Sequence, residues 1–212
     1  MKKLLLTVTA VAGLAFVSNA QEFGFDKGNF IVEGNLQGST VNNKNDDSKV
    51  SAFQFNPKAG YFVTDKIAVG VELGFGQNKE TTNPVAGKTV ETDKIFAAGV
   101  FGRYYFLELG SRFKTYTEVG VGYASITGDE KVGSDPAVKD PAVNGFGVNA
   151  GVGVNYFLTD KIAVNFAFGD VLSYASAKED VDGAKAVSSF NANINVFDNF
   201  FNTAQFGLTF KF

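Results

Sequence analysis

Seven charged residues stand where their side chains could act together: Glu33, Lys58, Glu72, Arg103, Lys114, Glu118 and Lys211. Carboxylates beside lysine or arginine form ion pairs that keep the acid ionised, which makes it a poor proton donor. The chain has no histidine, so a Ser-His-Asp mechanism is impossible. We therefore expect a charge network rather than an enzyme, together with an amide and hydroxyl set that shares its face: Asn35, Gln54, Asn56, Tyr116, Asn149, Asn155, Asn165 and Gln205.

Metal and cofactor chemistry has little support in the sequence. The chain has neither cysteine nor histidine, which removes the usual transition-metal ligands. Residues 127–142 carry the acids Asp129, Glu130, Asp135 and Asp140, and acidic loops can hold calcium. Their spacing matches no EF-hand, and lysines intervene. We expect a solvated surface loop, no metal and no cofactor.

The elements that must position the charged residues are strands. In 67–76 the apolar residues Ile67, Val69, Val71, Leu73 and Phe75 alternate with Ala68, Gly70, Glu72, Gly74 and Gly76. This period of two predicts one apolar and one polar face. The same alternation occurs at about 29–38, 53–63, 94–106, 112–126, 143–158, 162–172 and 203–212. These lengths suit tilted membrane-spanning strands, which need roughly 9–11 residues.

Connectors of two kinds take turns along the chain. Short ones lie at 64–66, around 109–111 and at 159–161, and long polar ones lie at about 39–50, 77–93, 127–142 and 173–202. Membrane barrels have short periplasmic turns and long extracellular loops. We therefore predict an all-β, antiparallel, up-and-down transmembrane barrel of eight strands. Residues 190–197 carry one more strand signal, which we assign to a lip of the fourth long loop; a ten-stranded barrel is the alternative.

The N-terminus predicts export. Two lysines precede an apolar run from Leu4 to Val17, and Ala20 precedes Gln21. This is the pattern of a cleaved signal peptide. We expect residues 1–20 to be removed and 21–212 to form one barrel domain. Phenylalanine and glycine are abundant at 23 and 24 copies, and the formal net charge of −3 gives no indication of nucleic-acid binding.

Aromatic residues precede each short turn. They are Tyr61, Phe62, Tyr104, Tyr105, Phe106, Tyr156 and Phe157, and we expect them to form a ring at the periplasmic interface. Two of the turns share a sequence, since Tyr61 to Val69 recurs with little change as Tyr156 to Val164.

These features together resemble the small outer-membrane β-barrel proteins, the group of OmpA-like barrel domains, OmpX and OmpW. The chain ends in alternating residues that include Leu208, Phe210 and Phe212. The resemblance implies that this last strand is the signal read by the barrel-assembly machinery. It also implies a monomer in outer-membrane lipid, with a loop partner that the sequence does not identify. Two functions remain open: a structural or surface-interaction barrel with a mostly plugged polar lumen, or a narrow porin-like channel for small solutes.

Overall fold

A computed structural model describes residues 23–83, 87–193 and 205–212, which form antiparallel strands. The strands are β1 (Phe30–Asn43), β2 (Ser48–Phe62), β3 (Ile67–Thr82), β4 (Thr89–Leu109), β5 (Phe113–Val132), β6 (Val138–Lys139), β7 (Val143–Phe157), β8 (Ile162–Glu179), β9 (Val187–Ala192) and β10 (Gln205–Lys211). Among these residues no helix is long and apolar enough to cross a membrane.

Eight strands form the barrel wall. Neighbours pair in the order β1, β2, β3, β4, β5, β7, β8 and β10, and β10 pairs with both β8 and β1, which closes the barrel. The prediction of eight strands is confirmed. The short strands β6 and β9 lie outside this ring and pair with β5 and β8 respectively.

The period-two alternation sorts side chains between the two faces of the wall. On β3 the outward Val71 is 57% exposed, whereas the next residue, Glu72, has a side chain only 25% exposed. On β1 the inward Ile31 and Glu33 are buried and the outward Val32 is exposed. An apolar exterior around a polar interior is the arrangement of a barrel in lipid.

The two related short turns fold in the same way. In one turn the hydroxyl of Thr64 accepts hydrogen bonds from the backbone N–H groups of Lys66 and Ile67 at 3.2 and 2.9 Å. In the other turn Thr159 accepts from the corresponding groups of Lys161 and Ile162 at 3.2 and 3.0 Å. A threonine hydroxyl can replace a backbone acceptor in a tight turn, which explains why the sequence repeats.

At the end of the barrel opposite the short turns, the strands are longer than the sequence analysis predicted. For example, β3 continues to Thr82 and β5 to Val132, so much of the predicted second and third long loops is hairpin. Strands that pair outside the lipid need no apolar face. Their polar sequences lack the alternation that predicts a strand, so the sequence analysis assigned these extensions to loops. Of the predicted lip, residues 190–192 belong to β9. Residues 194–197 and the predicted signal peptide at 1–20 lie outside the described residues.

Candidate functional site in the barrel lumen

A buried ion pair lies at the centre of the lumen. Arg103 on β4 and Glu33 on β1 are each 1% exposed. The guanidinium makes two parallel contacts, from Nη1 to Oε2 at 2.9 Å and from Nη2 to Oε1 at 3.0 Å. This fork geometry is among the strongest that a charged pair can adopt. Both groups are shielded from water. Removing either one would leave a buried charge without its partner and would strongly destabilise the folded protein.

Glu118 on β5 extends the pair into a chain of charges. Its Oε2 accepts from Arg103 Nε at 2.7 Å, and its Oε1 bonds to Lys58 on β2. Lys58 Nζ also contacts Glu72 Oε2 on β3 at 2.8 Å. Five of the seven predicted charged residues therefore form one connected set that spans the lumen.

Uncharged polar side chains connect this set to the remaining wall strands. Glu33 Oε2 accepts hydrogen bonds from Asn165 on β8 at 3.1 Å and from Thr209 on β10 at 2.9 Å. Asn155 on β7 donates to Thr209 at 2.9 Å and accepts from Tyr105 at 2.8 Å. Each of the eight wall strands thus supplies at least one member of the same hydrogen-bonded layer, which we call the charged layer. Its members are Glu33, Lys58, Glu72, Arg103, Tyr105, Glu118, Asn155, Asn165 and Thr209.

Arg103 also stacks on an aromatic ring. Its guanidinium carbon lies 3.9 Å from the centre of the Tyr116 ring, and such contacts stabilise a cation in a dry site. Tyr116 fits because the neighbouring strand carries Gly153, where a Cβ would overlap the ring. The inward glycines are therefore needed for space, as expected for a narrow barrel.

The end of the lumen at the short turns, which we expect to face the periplasm, is filled by the segment that precedes β1. Phe25 stacks on Phe62 with ring centres 4.4 Å apart, and it also contacts Tyr105 at 4.8 Å and Phe157 at 5.1 Å. The segment is fixed by hydrogen bonds, including one from Lys211 Nζ to the Gly24 carbonyl at 2.8 Å. We call Phe25 with its three aromatic neighbours the aromatic plug. The sequence analysis missed Phe25, which belongs to no periodic segment.

The aromatic plug corrects part of the predicted interface ring. Phe62, Tyr105 and Phe157 are buried in the lumen. Each is adjacent in sequence to another aromatic, and neighbouring residues of a strand face opposite sides. Only the other four of the predicted ring point outward: Tyr61, Tyr104, Phe106 and Tyr156.

The remaining predicted site residues lie away from the charged layer. Lys114 is buried and contacts Glu108 at 2.7 Å, and Lys211 approaches the ring of Phe157 besides its bond to Gly24. Leu208 and Phe210 on β10 and Phe212, which directly follows it, are exposed. Within residues 23–83, 87–193 and 205–212, no group of acids is arranged to hold a metal ion.

Comparison with known proteins decides the family. The chain matches the model of the outer membrane protein beta-barrel domain over residues 5–212. The chain belongs to this outer-membrane β-barrel family. It is accordingly a protein of the bacterial outer membrane, and its apolar exterior faces lipid.

One sequence relative agrees with this assignment, and two solved structures are similar to the chain. Outer membrane protein W of Vibrio cholerae serotype O1 is 25% identical over 181 residues, covering 75% of this chain and 80% of the relative. The crystal structure of OprG from Pseudomonas aeruginosa matches with a TM-score of 0.51 at 17% identity, covering 89% of this chain and 98% of OprG. A major outer membrane protein from Thermus thermophilus matches with a TM-score of 0.48 at 15% identity, covering 87% of this chain and 99% of the other. The OprG likeness supports the fold alone.

Proposed function

We propose that this protein is a structural barrel that closes its own lumen and presents its long loops to the cell exterior. The observation that carries the proposal is the charged layer, to which all eight wall strands contribute. A solute or ion that crossed the lumen would have to separate Arg103 from Glu33, and a buried charge without its partner is costly.

The aromatic plug supports the same conclusion from the periplasmic side. Phe25 is 8% exposed and Phe62 and Phe157 are fully buried. Water and ions find no polar partners among packed aromatic rings, so this plug is a second barrier of a different chemical kind. Opening the lumen therefore requires two separate rearrangements.

A narrow channel is the competing function, and a cavity in the outer half of the lumen favours it. This cavity has a volume of about 670 Å³ and lies directly above the charged layer. A channel would need only the charged layer and the plug to rearrange.

Single-channel conductance in planar lipid bilayers separates the two functions. We expect the wild-type protein to give no reproducible steps, and we expect steps from a variant that combines Phe25→Ala with Arg103→Ala. Phe113→Ala, which removes an outward aromatic, is the matched control and should stay silent. Reproducible wild-type steps that Ser173→Phe abolishes by narrowing the lumen would refute the closed barrel.

We also propose that β10 directs assembly. Its outward residues Leu208 and Phe210 lie on the strand that completes the barrel, and Phe212 directly follows it. The resemblance to small outer-membrane barrels implies that the assembly machinery recognises this strand in the unfolded chain. We expect the folded protein to be a monomer, since closure of the wall pairs the last strand with the first.

We infer finally that the role is not catalytic. Arg103 contacts both Glu33 and Glu118, which holds these acids as ion pairs. A carboxylate held in such an ion pair stays ionised and is a poor proton donor to a bound molecule.

A further inference from the structure

The cavity above the charged layer has the dimensions and lining of a ligand site. At about 670 Å³ it lies within the range of small-molecule sites. Its floor contains Lys58, Glu72, Tyr116 and Glu118, and its wall carries six carboxamides: Gln37, Gln54, Asn56, Asn78, Asn149 and Gln205. Gln54 points inward and is nevertheless exposed, so solvent reaches the cavity.

The lining carries more negative than positive charge. It contains one cation, Lys58, and three carboxylates, Glu72, Glu118 and Asp170. Lys58 is already bonded to two of these acids. In the part of the chain that the structure describes, Asp170 has a hydrogen bond from Asn149 at 3.0 Å and no cation within salt-bridge distance. Among the described residues, Asp170 is therefore the lining carboxylate that has no cationic partner.

The other three lumen cations do not correct this imbalance, because Arg103 is already paired with Glu33 and Glu118 and the remaining two lie elsewhere. Lys114 is paired with Glu108, and Lys211 bonds to the carbonyl of Gly24. Gly24 adjoins Phe25 of the aromatic plug, and Glu108 lies next to the β4–β5 turn at the periplasmic end. Both cations are thus on the far side of the charged layer from the cavity.

A row of acids outside the cavity adds to the negative potential. Glu80 on β3 pairs in register with Glu91 on β4, and Glu91 pairs with Glu130 on β5. All three have the strand parity that faces the lumen. Like charges placed directly opposite repel and destabilise the sheet. A row of one sign at the mouth of a cleft raises the local concentration of the opposite charge.

We propose that this cavity binds a small organic cation of the alkylammonium class. An ammonium group donates hydrogen bonds only, and the cavity offers carboxylate and carboxamide oxygens to accept them. The wall glycines leave room for the alkyl part. This inference goes beyond the proposed function, because a site above a closed layer binds its ligand whether or not the barrel conducts.

Three probes of similar length and different charge test the proposal. They are putrescine, a diamine; butanediol, which is uncharged; and succinate, a dicarboxylate. Binding is measured by titration calorimetry on the folded full barrel in zwitterionic detergent. We expect putrescine to bind, with an affinity that falls as salt is added, and succinate not to bind. Equal affinity for putrescine and butanediol would overturn the proposal.

Matched variants locate the site. Asp170→Asn should weaken putrescine binding by about tenfold, since hydrogen bonds to charged groups are the stronger ones. Asp160→Asn makes the same charge change at a periplasmic turn and should leave binding unaltered. Ser173→Phe, which fills the cavity without changing charge, should abolish binding. The heat-dependent gel shift confirms the folding of each variant.

Two results would contradict the assignment. Equal weakening by Asp160→Asn and Asp170→Asn would show a general charge effect instead of a site. Unchanged binding in Ser173→Phe would place the ligand elsewhere. Conductance measured on the same preparation distinguishes the two proposals. A barrel that conducts and still binds putrescine would refute the closed lumen but not the ligand site.

Discussion

Replacing Arg103 by methionine tests the energetic role of the charged layer. Methionine keeps an unbranched side chain but removes the cation. Glu118 would still contact Lys58, whereas Glu33, which is 1% exposed, would keep only uncharged donors such as Asn165 and Thr209. Breaking a buried pair in this way costs about 3–5 kcal/mol of unfolding free energy. We expect Arg103→Met to lose that amount.

The assay is reversible urea unfolding in lipid vesicles. The chain has seven tyrosines and no tryptophan, so tyrosine fluorescence and the gel-mobility shift report folding. Lys66→Met, at an exposed turn position, is the control and should cost little. The double variant Arg103→Met with Glu33→Gln should recover part of the loss, since no charge is then left without a partner.

The double variant also decides whether the reasoning holds. Contacting residues in one network show interaction energies of about 0.5–3 kcal/mol. Strict additivity of the two substitutions, or a cost below about 1 kcal/mol for Arg103→Met, would refute a coupled, buried network at this position.

Four further outcomes follow from the structure. Val71→Arg should cost about 2–4 kcal/mol near the bilayer midplane in the same urea assay, and a negligible effect would contradict lipid exposure. Phe25→Ser should raise proteolysis of the N-terminal segment in detergent without unfolding the wall, as circular dichroism would show; a melted barrel would make the plug part of the core. Deletion of Phe212 should lower outer-membrane yield in fractionated cells while in-vitro folding survives, and unchanged yield would count against the assembly signal. An engineered cysteine at Asp135 should be labelled on intact cells and one at Asp65 should not; the reverse would invert the orientation.

The sequence predicts which face each lumen residue occupies but not what it contacts. Alternation places Glu33, Lys58 and Arg103 inward, and the structure has all three inside. Their contacts depend on height along the barrel axis, which is set by the stagger between strands. Lys114 has the same inward parity as Glu118 on β5, yet it pairs with Glu108 near the periplasmic turn. The alternation within a single strand does not reveal how far that strand is offset from its neighbours.

Composition likewise conceals the strand ends. The outer part of β3, ending at Thr82, is rich in asparagine, lysine, glutamate and threonine. These residues predict a loop when they are read alone. Pairing with β4 continues nonetheless from Gln77↔Lys94 to Thr82↔Thr89. Backbone hydrogen bonds stabilise a hairpin beyond the membrane without any apolar pattern. Apolar periodicity therefore predicts only the part of each strand that faces lipid.

The aromatic plug, in contrast, could have been derived from the sequence. Each of the three strand ends at the short turns carries two or three adjacent aromatics, and the period of two requires at least one of each group to face inward. Three inward rings at one end of a narrow barrel, those of Phe62, Tyr105 and Phe157, leave an apolar gap that water would fill at a cost in free energy. The nearest chain able to fill it is the segment before β1, where Phe25 stands. The inward ring of each group holds the N-terminal segment against the end of the lumen, and we expect the outward rings to meet the membrane interface.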